Sequence, residues 1–271
     1  MTMPFDTTKP NMARMYDYWL GGKDNFEADR KAAQAVRDVR PDVAEQALEN
    51  KKFLTRAVTY VAGQGIRQFI DIGSGLPTSP VRAAGEVPLW LATHEAARAL
   101  NADALVAYVD VDEMAVRHSQ ALLAGGSRQV IAVTGDARDP LAILGDEQIR
   151  RAGLDLTAPV CVIMACILHF VDTETALGIV AKLTGALPAG SYLVISAGYG
   201  PGQSGRDFAN TYNAQSGPRI YSHSWDEITA MFAGLELVPP GLVTATAWPD
   251  GPPRTAPPEQ PGIVAAVGRK A

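Results

Sequence analysis

Two glycines between two carboxylates are the first residues in this chain whose spacing bears on chemistry. Asp71, Gly73 and Gly75 form a D-x-G-x-G turn after the apolar run Phe69-Ile70, with Ser74 between the glycines. A glycine lacks the Cβ that would keep a backbone away from a ligand, so this turn admits close approach. An ordinary tight strand-to-helix turn would look the same. Asp110 ends the run Leu105-Val106-Ala107-Tyr108-Val109, thirty-five residues after Gly75. A carboxylate at the tip of a second strand accepts hydrogen bonds from ribose hydroxyls. The usual spacing of about twenty residues falls instead on Glu95, which sits in a helical pattern. Asp110 is therefore the expected ribose ligand, with Val111 beside it. Asp112 is the fallback and reads better as the cap of the next helix. Asp136 and Ala137 follow a third apolar run and suit an adenine contact, although a turn aspartate there needs no ligand.

Ala165, Cys166 and His169 follow a fourth run, apolar throughout. His169 is a candidate general base for a protic acceptor. The alternative, that it bonds loop backbone and shapes a pocket, is the one the local sequence favours. Other constellations are absent. His94, His118, His169 and His223 are too scattered for a metal-ligand motif. There is no G-x-S-x-G, no Walker loop, and no tyrosine followed four residues later by lysine.

These residues need strands to hold them. Apolar runs predict strands over 69–72, 105–110, 129–133, 160–165, 191–196, 235–238 and 262–267. Helical spacing predicts helices over 11–20, 26–39, 43–61, 93–100 and 113–124. Further helices follow from 140 to about 153, capped by Asp139, and from 173 to 187, capped by Asp172. A glycine-rich loop then precedes a short helix over 208–214, and a Ser224/Glu227 capping box opens the last helix. Residues 1–10 look untethered, and the proline-rich loop carrying Trp248 looks exposed and irregular. Alternating strands and helices specify an α/β fold with a parallel sheet wound on both faces. The last two strands are joined without a helix and can form an antiparallel hairpin. A seven-stranded, mostly parallel sheet ending this way is the Rossmann-like pattern of class I S-adenosylmethionine (SAM) methyltransferases. The expected organisation is an N-terminal helical extension, 1–62, ahead of a SAM-binding domain, 63–271.

Composition is that of an ordinary globular chain: 271 residues, 47% hydrophobic, 20% charged, net charge −5. The acidic balance argues against bulk nucleic-acid binding and offers no polybasic membrane patch. Cys161 and Cys166 share one strand run and cannot reach disulfide geometry there, which suits a reducing compartment. No segment is apolar enough to cross a bilayer and no signal-peptide core is present, so a cytoplasmic location is expected.

The segment Ala13-Arg14-Met15-Tyr16-Asp17-Tyr18-Trp19-Leu20-Gly21-Gly22-Lys23-Asp24-Asn25-Phe26 resembles the N-terminal signature of an actinobacterial S-adenosyl methyltransferase family, long catalogued as a domain of unknown function. The resemblance continues through Phe53-Leu54-Thr55-Arg56-Ala57-Val58, Leu76-Pro77-Thr78, Tyr108-Val109-Asp110, Leu168-His169-Phe170 and Gly234-Leu235-Glu236-Leu237-Val238, covering nearly the whole chain. It implies a class I fold, SAM as cofactor with S-adenosylhomocysteine (SAH) as product, and an acceptor that is mostly unassigned. One departure stands out: relatives pass from the Pro-Thr of the loop straight to an Asn-x-His-Glu helix start, whereas here residues 80–92 intervene before Thr93-His94-Glu95. The signature is also too polar for a helix that merely packs. It reads as a lid over the cofactor, with Tyr18 and Asn25 as contacts, or as a docking helix whose polar groups cap and bridge. The leading reading is methyl transfer to a small molecule. A catalytically idle SAM-binding protein is the second, and a nicotinamide-dependent oxidoreductase the third. The terminal hairpin and the missing Tyr/Lys pair disfavour the third.

Overall fold

The computed structural model describes residues 6–78, 88–123, 126–200, 202–215 and 219–271. The segment 80–90, expected as an insertion, lies largely outside the described residues, as do residues 124–125, where the sequence ends a helix.

Three helices lead: α1 (Met12–Trp19), α2 (Glu27–Val39) and α3 (Val43–Gly63). Then come β1 (Gln68–Ile72), α4 (Thr93–Arg98), β2 (Leu105–Asp110), α5 (Glu113–Leu123), β3 (Val130–Thr134), α6 (Pro140–Gly145) and α7 (Glu147–Ala152). The second half holds β4 (Cys161–Ala165), a 3-10 turn (Leu168–Phe170), α8 (Thr173–Ala186), β5 (Tyr192–Tyr199), α9 (Gly202–Gln215), α10 (Trp225–Ala230), β6 (Glu236–Leu237), β7 (Val243–Thr244) and β8 (Gly262–Arg269).

The sheet runs β3-β2-β1-β4-β5-β8-β6, with the short β7 also paired to β8. Neighbours from β3 through β5 are parallel, and β8 is antiparallel to β5, β6 and β7. The two-residue period of each strand divides the core into two layers. Ile70, Val109, Val162 and Met164 face α8 and α10, packing with Ile179, Leu183 and Met231. Phe69, Val106, Ile163 and Val194 face α3, packing with Phe53, Leu54 and Val58. Asp71 shares the α3 side of β1 with Phe69, two residues away. The strand order reverses between β1 and β4, and parallel sheets bind ligands in the crevice at such a point. There the strand ends bring Gly73–Gly75, Asp110, Cys166 and Gly198 to one edge.

Several expectations are corrected. Residues 6–10 are tethered, because the carbonyls of Asp6 and Lys9 accept hydrogen bonds from the Arg14 guanidinium at 3.3 and 2.6 Å. The helix expected over 140–153 is two helices, since Asp146 turns out of helical geometry and caps α7 by accepting from the N–H groups of Gln148 and Ile149. The helix after β5 starts at Gly202, so part of the expected glycine-rich loop is helical. Gly200 and Gly205 serve a backbone crossing there, for a Cβ on Gly205 would overlap the Gly200 carbonyl. The loop carrying Trp248 is anchored. Trp248 is buried edge-on against Phe53 and Tyr60, and Arg56 donates to the Trp248 and Ala245 carbonyls at 2.7 and 2.6 Å.

Candidate functional site

A cavity of about 310 Å³ opens at the C-terminal edge of the sheet, between the ends of β1, β2, β4 and β5 and the helices α1, α3 and α9. Gly73 and Gly75 shape its floor from the left-handed region, at φ 72° and 67°. A Cβ on Gly73 would stand 2.6 Å from Ile167 Cδ1, so only glycine fits. The N–H groups of Gly73 and Ser74 donate to the Val109 carbonyl at 2.8 and 3.2 Å. The Gly75 N–H donates to Asp110 Oδ2 at 2.8 Å, while Asp110 Oδ1 accepts from the Asp112 N–H at 2.9 Å. Each Asp110 oxygen keeps a lone pair beyond these bonds. Burial pushes the Asp110 carboxyl above the usual carboxylate range, against the pull of these backbone donors. Burial also raises Asp71, opposed by the Thr93 hydroxyl, which donates to Asp71 Oδ2 at 2.6 Å, and by the charge of Lys51.

Polar groups from four elements meet mid-cavity. The Ser196 hydroxyl donates to Asn50 Oδ1 at 2.6 Å, Asn50 Nδ2 to the Tyr16 hydroxyl at 3.0 Å, and that hydroxyl to the Ala47 carbonyl at 3.1 Å. The Cys166 N–H donates to Ser196 Oγ at 3.1 Å. Cys166 has φ 55°, and among the described residues no other non-glycine residue has positive φ. Such backbone strain persists where surrounding structure enforces it. Burial pushes the Cys166 thiol up to about 11, so it is a neutral wall of the cavity at neutral pH. Lys51 is the contrast. Its ammonium lies 5.8 Å from the Tyr16 ring centre and has no hydrogen bond or ion pair among the described residues. Burial lowers its pKa, with Asp71 and Cys166 opposing.

His169 stands where the 3-10 turn meets the cavity. Its Nδ1 accepts from the Gly198 N–H at 3.5 Å, its carbonyl accepts from the Tyr221 N–H at 2.8 Å, and its ring packs edgewise on Phe170 at 4.4 Å. Burial, with His223 nearby, pushes its pKa down to about 4, which leaves the imidazole neutral at pH 7.

The cavity therefore brings together Asp71, Gly73, Ser74, Gly75, Asp110, Val111, Ala165, Cys166 and His169. Four other residues expected at the site do not line it. Tyr18 packs with α2 and α9 around Met15 and Val36. Asn25 donates to Asp17 Oδ2 at 2.9 Å and to the Gly22 carbonyl at 3.0 Å, closing its own turn. Asp136 is held by Arg138, whose Nε donates to it at 2.9 Å, and Ala137 packs on the sheet core. Glu95 caps α4 through the Ala92 N–H at 2.8 Å, and Thr93 braces Asp71 from outside the cavity wall. Asp112 does line the cavity, and it accepts from Asn11 Nδ2 and the Met114 N–H at 2.8 Å each. Asn11, Tyr16, Asn50 and Lys51 line it too, and the sequence reading did not single them out. The available signal was Asn50-Lys51, polar positions interrupting the inward stripe of α3 between Ala47 and Leu54.

A family model described as S-adenosyl methyltransferase matches residues 1–271. A Thermobifida fusca protein solved as a candidate methyltransferase is 36% identical, over 98% of this chain and 96% of its own, with a TM-score of 0.84. A DUF574 family protein from Streptomyces avermitilis is also 36% identical, over 98% of this chain and 99% of its own, with a TM-score of 0.84. Magnesium protoporphyrin IX methyltransferase from Synechocystis, solved with bound SAH, shares the fold at 14% identity and a TM-score of 0.50, over 95% of this chain and 93% of its own. No curated protein matches the chain. With a matching model along its full length and two solved relatives aligned almost end to end, the chain belongs to the S-adenosyl methyltransferase family, class I enzymes that take their methyl group from SAM.

Proposed function

We propose that the protein methylates a small-molecule acceptor bound beside Cys166 and His169, with residues 1–62 forming a helical cover over the sheet domain. The observation that carries this reading is one continuous cavity. Its lining runs from Gly73–Gly75 and Asp110, past Lys51 and His169, to an aromatic end at Phe170, Phe208 and Tyr212.

The residues suit the cofactor. Asp110 would accept the ribose hydroxyls with its spare lone pairs, and Val111 would lie along the nucleoside. The glycine turn and Asp71 would hold the methionine end, where the ammonium of Lys51 meets the carboxylate. Desolvation disfavours the Lys51 ammonium, offset in part by Asp71 and the Tyr16 ring, so an arriving carboxylate would add the direct ion pair it lacks. Asp136 and Ala137, outside the cavity lining at the end of β3, are the proposed adenine neighbours. Tyr18 and Asn25 act through the fold of the cover.

When bound, SAM supplies an electrophilic methyl carbon on a sulfonium, which a lone pair displaces in line. The chain's own part is to position the acceptor and exclude water. The Tyr16–Asn50–Ser196 chain is internally satisfied and so is a rigid wall. His169, neutral at pH 7, is available to take a proton from a hydroxyl acceptor, while an unprotonated amine needs no base. The test has two arms. Calorimetry with SAM, SAH and NAD should give binding of the first two and none of NAD. Tritiated methyl transfer from SAM into a small-molecule extract should give product that the Asp110→Ala protein does not. NAD binding without SAM binding would end this reading.

A further inference from the structure

The lobe beyond His169 has a composition of its own. Its walls are Trp19, Phe170, Phe208, Tyr212, Ile220 and Ile263, drawn from α1, the 3-10 turn, α9, the segment after α9 and the start of β8. Trp19 comes from the last turn of α1, whose N-terminal end reaches Asp112 after β2. The aromatic rings form a connected surface: Phe170 and Tyr212 have centroids 6.4 Å apart, Phe208 and Tyr212 6.0 Å, each pair tilted rather than stacked. Tilted rings leave faces and edges for a further ring to pack against.

Two polar side chains at the lobe, Trp19 and Arg40, are already engaged. Trp19 Nε1 donates to the Ala33 carbonyl at 3.2 Å, so the indole turns its polar edge away. Arg40 is the lobe's one cation among the described lining residues, and Asp42 pairs with it. Its Nε and Nη2 bond Asp42 at 2.5 and 3.2 Å, Nη2 also donates to the Pro261 carbonyl at 2.8 Å, and the guanidinium lies 5.9 Å from the Phe208 ring centre. Paired with Asp42, it offers no net charge to a ligand. Among the described residues, the carboxylates that line the cavity are Asp71, Asp110 and Asp112, all near the glycine turn. The segment that carries Ile220 is fixed by reciprocal bonds to Asn213: Ile220 N–H to Oδ1 at 2.7 Å, and Nδ2 to the Ile220 carbonyl at 3.1 Å. The lobe is thus a built feature, apolar, ringed by aromatic side chains and without an unpaired charge.

We infer that this lobe binds the body of the methyl acceptor, and that the acceptor is an uncharged aromatic compound whose reactive group points back to His169 and Cys166. This deepens the proposed function and rests on it. Burying an ionised group in such a lobe would cost several kcal/mol with no partner to offset it, whereas a flat apolar ring gains contact on every wall. The same argument separates the two halves of the cavity: Lys51 selects an anion on one side, and the lobe rejects ions on the other.

The test uses the full chain and three probes of one shape, 2-naphthol, 2-naphthoate and 2-naphthylmethylammonium, titrated by calorimetry with and without saturating SAH. The expected result is that 2-naphthol binds at least tenfold more tightly than either ion. Ala209→Trp, which fills the lobe, and Phe208→Ala, which removes a wall, should each weaken 2-naphthol at least tenfold while SAH affinity stays within twofold. Equal or tighter binding of an ion, or 2-naphthol binding unmoved by Ala209→Trp, would overturn the inference. So would the absence of 2-naphthol binding. The SAH titration alone reads the cofactor assignment, and the probe titrations on ligand-free protein read the lobe alone, so failure of one is distinct from failure of the other.

Discussion

Asp110 and Gly75, thirty-five residues apart, are joined by a 2.8 Å hydrogen bond from the Gly75 N–H to Asp110 Oδ2. The bond ties the tip of β2 to the turn after β1, so the carboxylate we propose for the ribose also fixes the glycine loop. Asp110→Ala should therefore act twice, removing a charged acceptor and releasing the loop. We expect a loss of roughly 2–4 kcal/mol in SAM binding, the scale for charge-assisted hydrogen bonds lost in a desolvated site. Glu95→Ala should leave SAM binding unchanged and cost about 1 kcal/mol of stability, because Glu95 only caps α4. Calorimetry and thermal denaturation on both variants check this. A larger binding loss in Glu95→Ala than in Asp110→Ala would refute the assignment.

Lys51 should read the carboxylate of the cofactor and nothing else. Its ammonium is unpaired among the described residues and sits near Asp71 and Tyr16. Lys51→Met keeps the stem that packs in the cavity and deletes the charge. SAH should then bind at least tenfold more weakly, while methylthioadenosine, which lacks the amino acid, should bind as it does to the unaltered protein. Equal losses for both ligands would mean that Lys51 supports the fold of the cavity rather than the carboxylate.

The imidazole of His169 makes a pH prediction whose sign is fixed. Its folded pKa is pushed down to about 4, below the value of about 6.5 for an unperturbed histidine. Its contribution to stability is therefore complete above pH 6.5 and is lost as pH falls from there through 4, because the unfolded chain takes up the proton first. His169→Asn cannot titrate. The melting temperature of the unaltered protein should fall more steeply between pH 6.5 and 4 than that of the variant. Parallel curves would show that the ring carries no depressed pKa.

The sheet was legible because β1, β2, β4 and β5 are covered on both faces and so read as mostly apolar runs, β1 broken by Asp71. The position of Asp110 at the end of β2 and on the cavity was legible for a related reason, because the carboxylate closes an apolar run. Trp248 was not, because a proline-rich loop carries no period that distinguishes an anchored segment from a free one. Lys51 was not, because a lysine in a helix usually marks the solvent face, and its inward placement follows only once α3 is docked on the sheet. Asn25 and Asp17 show a different limit. Their polar side chains satisfy one another and the Asp24 N–H, a closed circuit that spacing alone cannot separate from a ligand site.

The cover over the cavity should move as a unit. Arg14 and Asp29, both buried, pair at 2.7 Å, and Asp29 also accepts from the N–H groups of Asn11 and Phe26 at 2.8 Å each, so α1 and the start of α2 are locked together. The unit packs apolar surface on the sheet domain, Ala13 and Phe26 against Leu76 and Met114, and a few polar bonds latch it there. Asn11 Nδ2 donates to Asp112 Oδ2 at 2.8 Å and the Thr78 hydroxyl donates to Asp17 Oδ1 at 2.6 Å, while within the cover Tyr16 donates to the Ala47 carbonyl of α3. Gly21, at φ 77°, supplies a backbone position that tolerates a change of direction. Two variants separate the lock from the latch. Arg14→Met leaves the Asp29 carboxylate buried without its cation and should destabilise the whole protein by about 3–5 kcal/mol. Thr78→Val removes only the latch on Asp17. It should leave the melting temperature nearly unchanged, speed amide exchange in residues 11–25 of the ligand-free protein, and leave exchange in β1, β4 and β5 as it was. Saturating SAH should slow residues 11–25 again. If their exchange is the same with and without SAH in both the unaltered protein and Thr78→Val, the segment is a fixed wall and the cavity admits its ligands by another route.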